Sequence, residues 1–294
     1  MVTINPDLIL RKRKQNSIKR KSEFSGIGIH TGKQVTLRFC PAEPNTGIVF
    51  KRIDLDGAPT IPAKLENVCD TTRSTTIGAH GVFVHTVEHV LAAVRAYEID
   101  NLIIEVSDKE PPIGNGSSDI FVDMIERSEV VSQGGEVPII ALKKPVFWAH
   151  GDTHLALLPY EGFRISYTLH YPDAKALQHQ FYSVLLTPET FKNEISPCRT
   201  FSKYEEVEYL LDRGLIKGGS LANTLIIKDD VVFSREGLFF PDEMARHKIL
   251  DMIGDLSLIG FSLQAHLIGC RTGHRANYEF AKELLNSLKS EITP

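Results

Sequence analysis

Three side chains able to bind metal or move protons recur at four-residue spacing late in the sequence: His247, Asp251 and Asp255. On a helix, positions i, i+4 and i+8 share one face. The apolar residues Ala245, Ile249, Met252, Ile253 and Leu256 fall largely on the other side. Taken alone, such a stripe also suits a merely solvated helix face. Glu88-His89 adds a second imidazole at the start of another helical segment. Two His and one Asp make the three-ligand set of a catalytic zinc, which leaves a position for water. His89, His247 and Asp251 are therefore the candidate ligands, and Glu88 the spare carboxylate beside them. His274 stands in Arg271-Thr-Gly-His274, expected as a loop before the last helix. It matters only if that loop folds onto the metal, where Asp255 could orient its ring.

The elements that must bring these residues together read as two similar series. Alternating segments at 17–30, 35–39, 47–53, 74–77 and 82–85 predict strands, the last two joined by a turn at Ala79-His80-Gly81. Thr86 suits an N-cap, and Val87, Val90, Leu91 and Val94 recur with helical period. A strand at 102–106, a Pro/Gly loop and a helix at 119–127 follow. Residues 131–138 contain Gly134, Gly135 and Pro138 and are expected to be a linker. The pattern then restarts, with strands at 139–148, 154–158, 164–170, 181–186 and 264–268 and helices at 242–258 and 276–288. Inserted in the second series are a helix at 203–213, ended by Gly214, and a hairpin at 224–227 and 231–234. Strand runs followed by helices predict an α+β fold whose two halves repeat one pattern, the second carrying an insert. The expected divisions are an N-terminal extension at 1–14, a first domain at 15–130 and a second at 137–294, with its insert at about 198–234.

Composition bounds the function class. The 294 residues are 42% hydrophobic and 24% charged, as in a folded globular protein, and the net charge of -4 offers no general nucleic-acid signature. Positions 11–21 hold seven basic residues. They suit either a solvated tail entering an edge strand or weak attraction to an anionic membrane surface. No apolar stretch approaches the roughly 20 residues of a membrane span. Four scattered cysteines read as reduced thiols, and a cytoplasmic monomer is expected. Gly26-Ile-Gly28 lacks the third glycine of a dinucleotide fingerprint, and the nucleophile-elbow pattern of serine hydrolases is absent.

Taken in order, seven segments resemble one family, the zinc-dependent UDP-3-O-acyl-N-acetylglucosamine deacetylases of lipid A synthesis. They are Ser25-Gly-Ile-Gly-Ile-His-Thr-Gly-Lys33, Thr86-Val-Glu-His-Val-Leu-Ala-Ala93, Asp100-Asn-Leu-Ile-Ile-Glu-Val106, Arg199-Thr-Phe201, Gly218-Gly-Ser220, Arg246-His-Lys-Ile-Leu-Asp-Met-Ile-Gly-Asp255 and Gly273-His274. The resemblance implies two similar layered α/β-sandwich domains, each with an insert, and an active site between them. It also implies one zinc per chain on His89, His247 and Asp251, Glu88 as general base and His274 as general acid oriented by Asp255. Thr200 would help hold the oxyanion, with Phe201 near the sugar and Lys248 near the nucleotide diphosphate of an acylated UDP-N-acetylglucosamine. The second insert would form an apolar passage for the acyl chain, with Val207, Ile216, Ser220, Thr224 and Ile226 as substrate-binding positions. Leu210, Leu211, Leu221, Leu225 and Ile227 add to its apolar character. Two residues depart from the family pattern: Asn115 stands where Asp is common, and Cys198 where a small inert residue is usual. Two other readings bear weighing. A non-catalytic binding protein of this fold would lack a ligand or base, and all are present. A phosphoesterase would favour two metals and more carboxylates.

Overall fold

The basic run near the start of the sequence is a strand. In the computed structural model, which describes residues 4–172, 174–177 and 179–288, β1 (Ile9–Ile18) is followed by β2 (Ser22–Ile27), β3 (Gln34–Pro41), β4 (Ile48–Arg52) and β5 (Thr60–Pro62). Alternation decides which face is buried: β3 turns Val35, Leu37 and Phe39 inward and leaves Thr36 and Arg38 on the other side. A small antiparallel sheet of β6 (Val68–Asp70), β7 (Thr76–Ala79) and β8 (Val82–Val84) comes next. Then come α1 (Glu88–Ala96), β9 (Leu102–Val106) and α2 (Asp119–Ser128). Residues 131–138 are not a linker. They belong to β10 (Val130–Ala141), which pairs along its length with β1. The strand expected at 139–148 is two, because the chain bends through Leu142, Lys143 and Lys144 to Pro145 before β11 (Val146–His150).

The later elements are β12 (Thr153–Pro159), β13 (Phe163–Leu169), β14 (Gln180–Leu185), the single turn α3 (Pro188–Thr190), β15 (Phe201–Lys203) and α4 (Tyr204–Asp212). They are followed by β16 (Leu225–Lys228), β17 (Val231–Phe233), α5 (Glu243–Ser257), β18 (Ser262–Cys270) and α6 (His274–Leu288). The first large sheet runs β2-β3-β9-β4-β5, with β9 antiparallel to β3 and parallel to β4. The second contains β11-β12-β18-β13-β14, with β18 antiparallel to β12 and parallel to β13. Strand order and pairing senses are the same in both. The start of β18 also pairs with β10, which joins β1 and β10 to the second sheet. The fold is α+β, and among the described residues no helix is long and apolar enough to cross a membrane.

Four helices, α1, α2, α5 and α6, link the two large sheets, while α4 packs on β15 and β16. α2 packs on β2 and β3, α5 on β13 and β14, and α6 on β11 and β12. α1 packs on both α2 and α5, so the two halves share one apolar core. Every residue of α1 but Arg95 is buried, as are twelve of the fifteen in α5. The crossing of these two helices is close. A Cβ on Gly254 of α5 would stand 2.1 Å from the Glu88 carbonyl oxygen of α1. Only glycine lets the backbones approach so far.

Gly254→Ala tests this contact. Replacing a helical glycine gains about 1 kcal/mol of propensity. Overpacking against rigid backbone costs up to about 3 kcal/mol. Net destabilisation of about 1–2 kcal/mol is expected in urea unfolding, with a larger loss of any activity centred on Glu88. A variant as stable as the parent would mean that α1 and α5 separate freely.

Candidate active site

The crossing of α1 with α5 sets the site. His89 sits one residue inside α1, and His247 and Asp251 lie one turn apart on α5. A solvated helix face is excluded, since His89, His247, Asp251 and Asp255 are between 1% and 4% exposed. Their Nε2 and carboxylate atoms converge. His247 Nε2 lies 3.5 Å and His89 Nε2 3.9 Å from Asp251 Oδ1, and one ligand atom from each residue fits within 4.8 Å of the others. Asp251 Oδ1 is buried and has no hydrogen-bond partner. A buried carboxylate oxygen facing two imidazole nitrogens with no proton between them is costly without a cation. Two nitrogens and one oxygen fit the donor set of zinc. His247 Nδ1 donates to the Cys198 carbonyl at 3.0 Å, which leaves Nε2 as the ligating atom.

Electrostatics prepare the same atoms. Burial, reinforced by His247, lowers the His89 pKa to about 3. Burial also lowers His247, so both rings are neutral and able to ligate. Burial would raise Asp251, but Lys248 and the imidazoles outweigh it and hold the carboxyl well below the usual range. Lys248 Nζ donates to Asp251 Oδ2 at 2.7 Å, and the unpartnered Oδ1 is the oxygen turned to the imidazoles.

Beside this set lies a second network. Glu88 is 2% exposed, and burial with Asp255 and Asp251 nearby raises it to about 7, with His274 acting against them. Its Oε2 accepts the Thr75 N–H at 3.0 Å. His274 is the first residue of α6 and not part of the preceding loop. Its Nδ1 meets Asp255 Oδ2 at 3.0 Å and its Nε2 lies 3.8 Å from Glu88 Oε1. Burial opposes charge on His274, yet Asp255 and Glu88 push it up to about 10. Asp255 is fixed by Thr75 Oγ1 at 2.6 Å and Asn277 Nδ2 at 2.8 Å. A carboxyl near neutrality thus faces an imidazolium, a pair suited to acid–base work.

Two cavities meet at these residues. One, of about 510 Å³, runs under the second insert and is mostly apolar; Val207, Ile216, Ser220, Thr224 and Ile226 all line it. Leu210, Leu211 and Leu221 join them, but Leu225 and Ile227 do not. Strand alternation turns those two into the core, at 0% and 1% exposure. The other, of about 620 Å³, is polar and is lined by His247, Lys248, Asp251, His274, Arg271 and Arg275 among others. Glu88, His89, Thr200, Phe201, Ser202 and Arg73 line both. Thr200 is held there by its N–H on the Gly116 carbonyl at 2.8 Å, and Lys248 Nζ lies 5.2 Å from the Phe201 ring centroid.

Sequence reasoning missed Thr75, Asn277 and Arg73; Asn277 shares the buried face of α6 with Phe280, Ala281, Leu284 and Leu288, a stripe that reads as core. It also misplaced the cap of α1. Val87 holds the N-cap position, while Thr86 adopts left-handed backbone at φ 55° with its hydroxyl buried and unpartnered. Cys198 serves through its carbonyl; its thiol points at the Glu194 carbonyl, and burial pushes it well above the ordinary range. Asn115 closes a local turn, its Oδ1 accepting from the Ser117 N–H and hydroxyl.

Comparison with known proteins agrees with this geometry. The profile of the family described as UDP-3-O-acyl N-acetylglycosamine deacetylase matches residues 15–286. The chain belongs to this deacetylase family. A UDP-3-O-acyl-N-acetylglucosamine deacetylase of Chlamydia felis is 47% identical over 278 residues, covering 95% of this chain and 99% of the relative. That of Chlamydia muridarum is 49% identical over 279 residues, covering 95% and 97%. The family match spans both cavities and every residue of the convergent set.

Metal binding tests that set. His89→Ala, His247→Ala and Asp251→Ala should each lose most of the bound zinc while retaining the circular dichroism spectrum of the parent. Elemental analysis of the three purified variants decides it: a variant that keeps a full complement does not carry a ligand substitution.

Proposed function

We propose that this chain is a zinc-dependent amidohydrolase that removes the N-acetyl group from UDP-3-O-(3-hydroxyacyl)-N-acetylglucosamine, giving acetate and the free amine in lipid A assembly. One observation carries the reading. The convergent His89, His247 and Asp251 lie beside a carboxyl–imidazole pair, where an apolar and a polar cavity meet. The proposed substrate has the same division: an acyl chain, a sugar bearing the amide, and a nucleotide diphosphate. The apolar cavity takes the chain. The polar one, with Lys248, Arg271 and Arg275 on its wall, takes the diphosphate. Four free cysteines are in keeping with a cytoplasmic location.

The steps follow from what each residue holds. His89, His247 and Asp251 would hold the zinc, which when bound would supply the positive charge that acidifies a water and polarises the acetamide carbonyl. Glu88, kept near neutrality by burial, takes the water's proton as the carbonyl is attacked. The Thr200 hydroxyl donates to the developing oxyanion. His274, held protonated by Asp255, gives its proton to the leaving amine, which departs poorly as an anion. Asp255 keeps the His274 ring aimed and charged.

Acetate release from the synthetic acylated nucleotide sugar is the direct test. Glu88→Ala and His274→Ala should keep zinc and fold, and each lose about 10²–10⁴-fold in rate. The base must be unprotonated and the acid protonated. Rate therefore rises through the Glu88 pKa of about 7 and falls through the His274 pKa of about 10. A bound cation lowers both limbs. An unchanged alkaline limb in His274→Ala would remove His274 as the acid. Ile226→Glu should weaken the acylated substrate far more than UDP-N-acetylglucosamine, since each buried methylene contributes about 0.8 kcal/mol. Equal losses on both would rule out the apolar cavity as the acyl site.

A further inference from the structure

We infer that Arg73 is a substrate-positioning residue, its guanidinium held by Glu206 over the seam of the two cavities so that it donates to the ester joining acyl chain and sugar. This deepens the deacetylase reading and rests on it. That ester lies where an aliphatic chain meets a polar ring, so in this site it falls at the boundary of the two cavities. Its carbonyl is an acceptor that needs a donor once water is excluded.

The residues common to both cavities are few, and most are engaged. Glu88, His89 and Thr200 serve the reacting amide. Phe201 has no donor. The Ser202 hydroxyl donates to the Lys203 carbonyl at 3.3 Å. Arg73 remains. Its Nη1 donates to Glu206 Oε2 on α4, while Nε and Nη2 have no hydrogen-bond partner among the described residues. A guanidinium has five N–H groups in a fixed fork, so several stay available when one is committed.

The backbone fixes where that fork sits. Arg73 adopts left-handed φ of 69°, which a non-glycine residue takes only when its surroundings dictate it. Two residues on, Thr75 is tied by its N–H to Glu88 and by its hydroxyl to Asp255. The loop carrying Arg73 is therefore indexed to the reacting groups themselves. Among the described residues, no other hydrogen bond or ion pair joins the β6–β8 sheet region to the second insert. Glu206 thus carries the alignment of Arg73 from the insert that forms the acyl cavity.

The experiment compares calorimetric binding and turnover of two ligands, the 3-O-acylated UDP-N-acetylglucosamine and UDP-N-acetylglucosamine itself. Arg73→Ala should weaken binding and lower kcat/KM for the acylated ligand by about 10–100-fold, the worth of one charge-assisted hydrogen bond. The unacylated ligand should change by less than about 3-fold. Arg73→Lys should recover only part of the loss, because it keeps the charge without the fork. Glu206→Gln should show a smaller loss with the same ligand bias. The double variant Arg73→Ala/Glu206→Ala should be no worse than Arg73→Ala, since Glu206 acts through Arg73. Equal losses on both ligands, an undiminished preference for the acylated ligand in Arg73→Ala, or additive losses in the double variant would each overturn the role. A parent enzyme that releases no acetate from the acylated ligand removes the deacetylase reading itself, and this role with it.

Discussion

The contact between Gly254 and the Glu88 carbonyl is the constraint on which the site depends. Glu88 and His89 are adjacent on α1, and His247, Asp251 and Asp255 are spaced along α5. Neither helix holds a complete set. Bringing them to backbone contact places one imidazole from α1 among the α5 ligands and one carboxylate from α1 opposite His274. A separation larger by the width of a methyl group would pull the two sets apart. Because both helices are buried nearly all round, the polar groups at the crossing meet mainly one another and the two cavities. They satisfy one another, through Thr75, Asn277 and the Cys198 carbonyl, and the unpaired Asp251 Oδ1 faces the two imidazoles in the arrangement a cation would fit.

That burial also explains why two carboxylates so close together behave differently. Asp251 has Lys248 and two imidazoles beside it and stays ionised. Glu88 is buried with Asp255 and Asp251 as neighbours, which outweighs His274 and the Thr75 N–H and raises its pKa to about 7. The proposed division of labour between ligand and base comes from what each carboxyl faces.

The residues that converge were legible because helix period is a strong local signal. His247, Asp251 and Asp255 share a stripe on any helix, and Glu88-His89 opens another. The α+β class followed from strand runs punctuated by turns. What failed did so where tertiary contact overrides local pattern. Gly134, Gly135 and Pro138 resemble a breaker, yet they lie in β10. A Cβ on Gly135 would stand 2.3 Å from Gln15 of β1, close to the register shift between Lys14 and Asn16. Pro138 comes one residue before β10 gains β18 as a second neighbour. Thr86 looked like a cap because threonine often is one, but the chain enters α1 through a left-handed residue. Arg73 gave no signal, since its role is set by Glu206, 133 residues away.

The strand order of the sheets carries a consequence for how the molecule is made. In each large sheet the central strand is the last of its five to be synthesised: β9 between β3 and β4, and β18 between β12 and β13. Outer strands must wait for their middle. The first sheet can close soon after residue 106 leaves the ribosome, but the second cannot before residue 270. During that interval β12 and β13 expose unpaired edges, and β10 awaits its β18 neighbour. Closure of the second sheet and delivery of His274 by the next helix are then almost one event, so the nascent chain has no imidazole opposite Glu88 until its architecture is nearly complete.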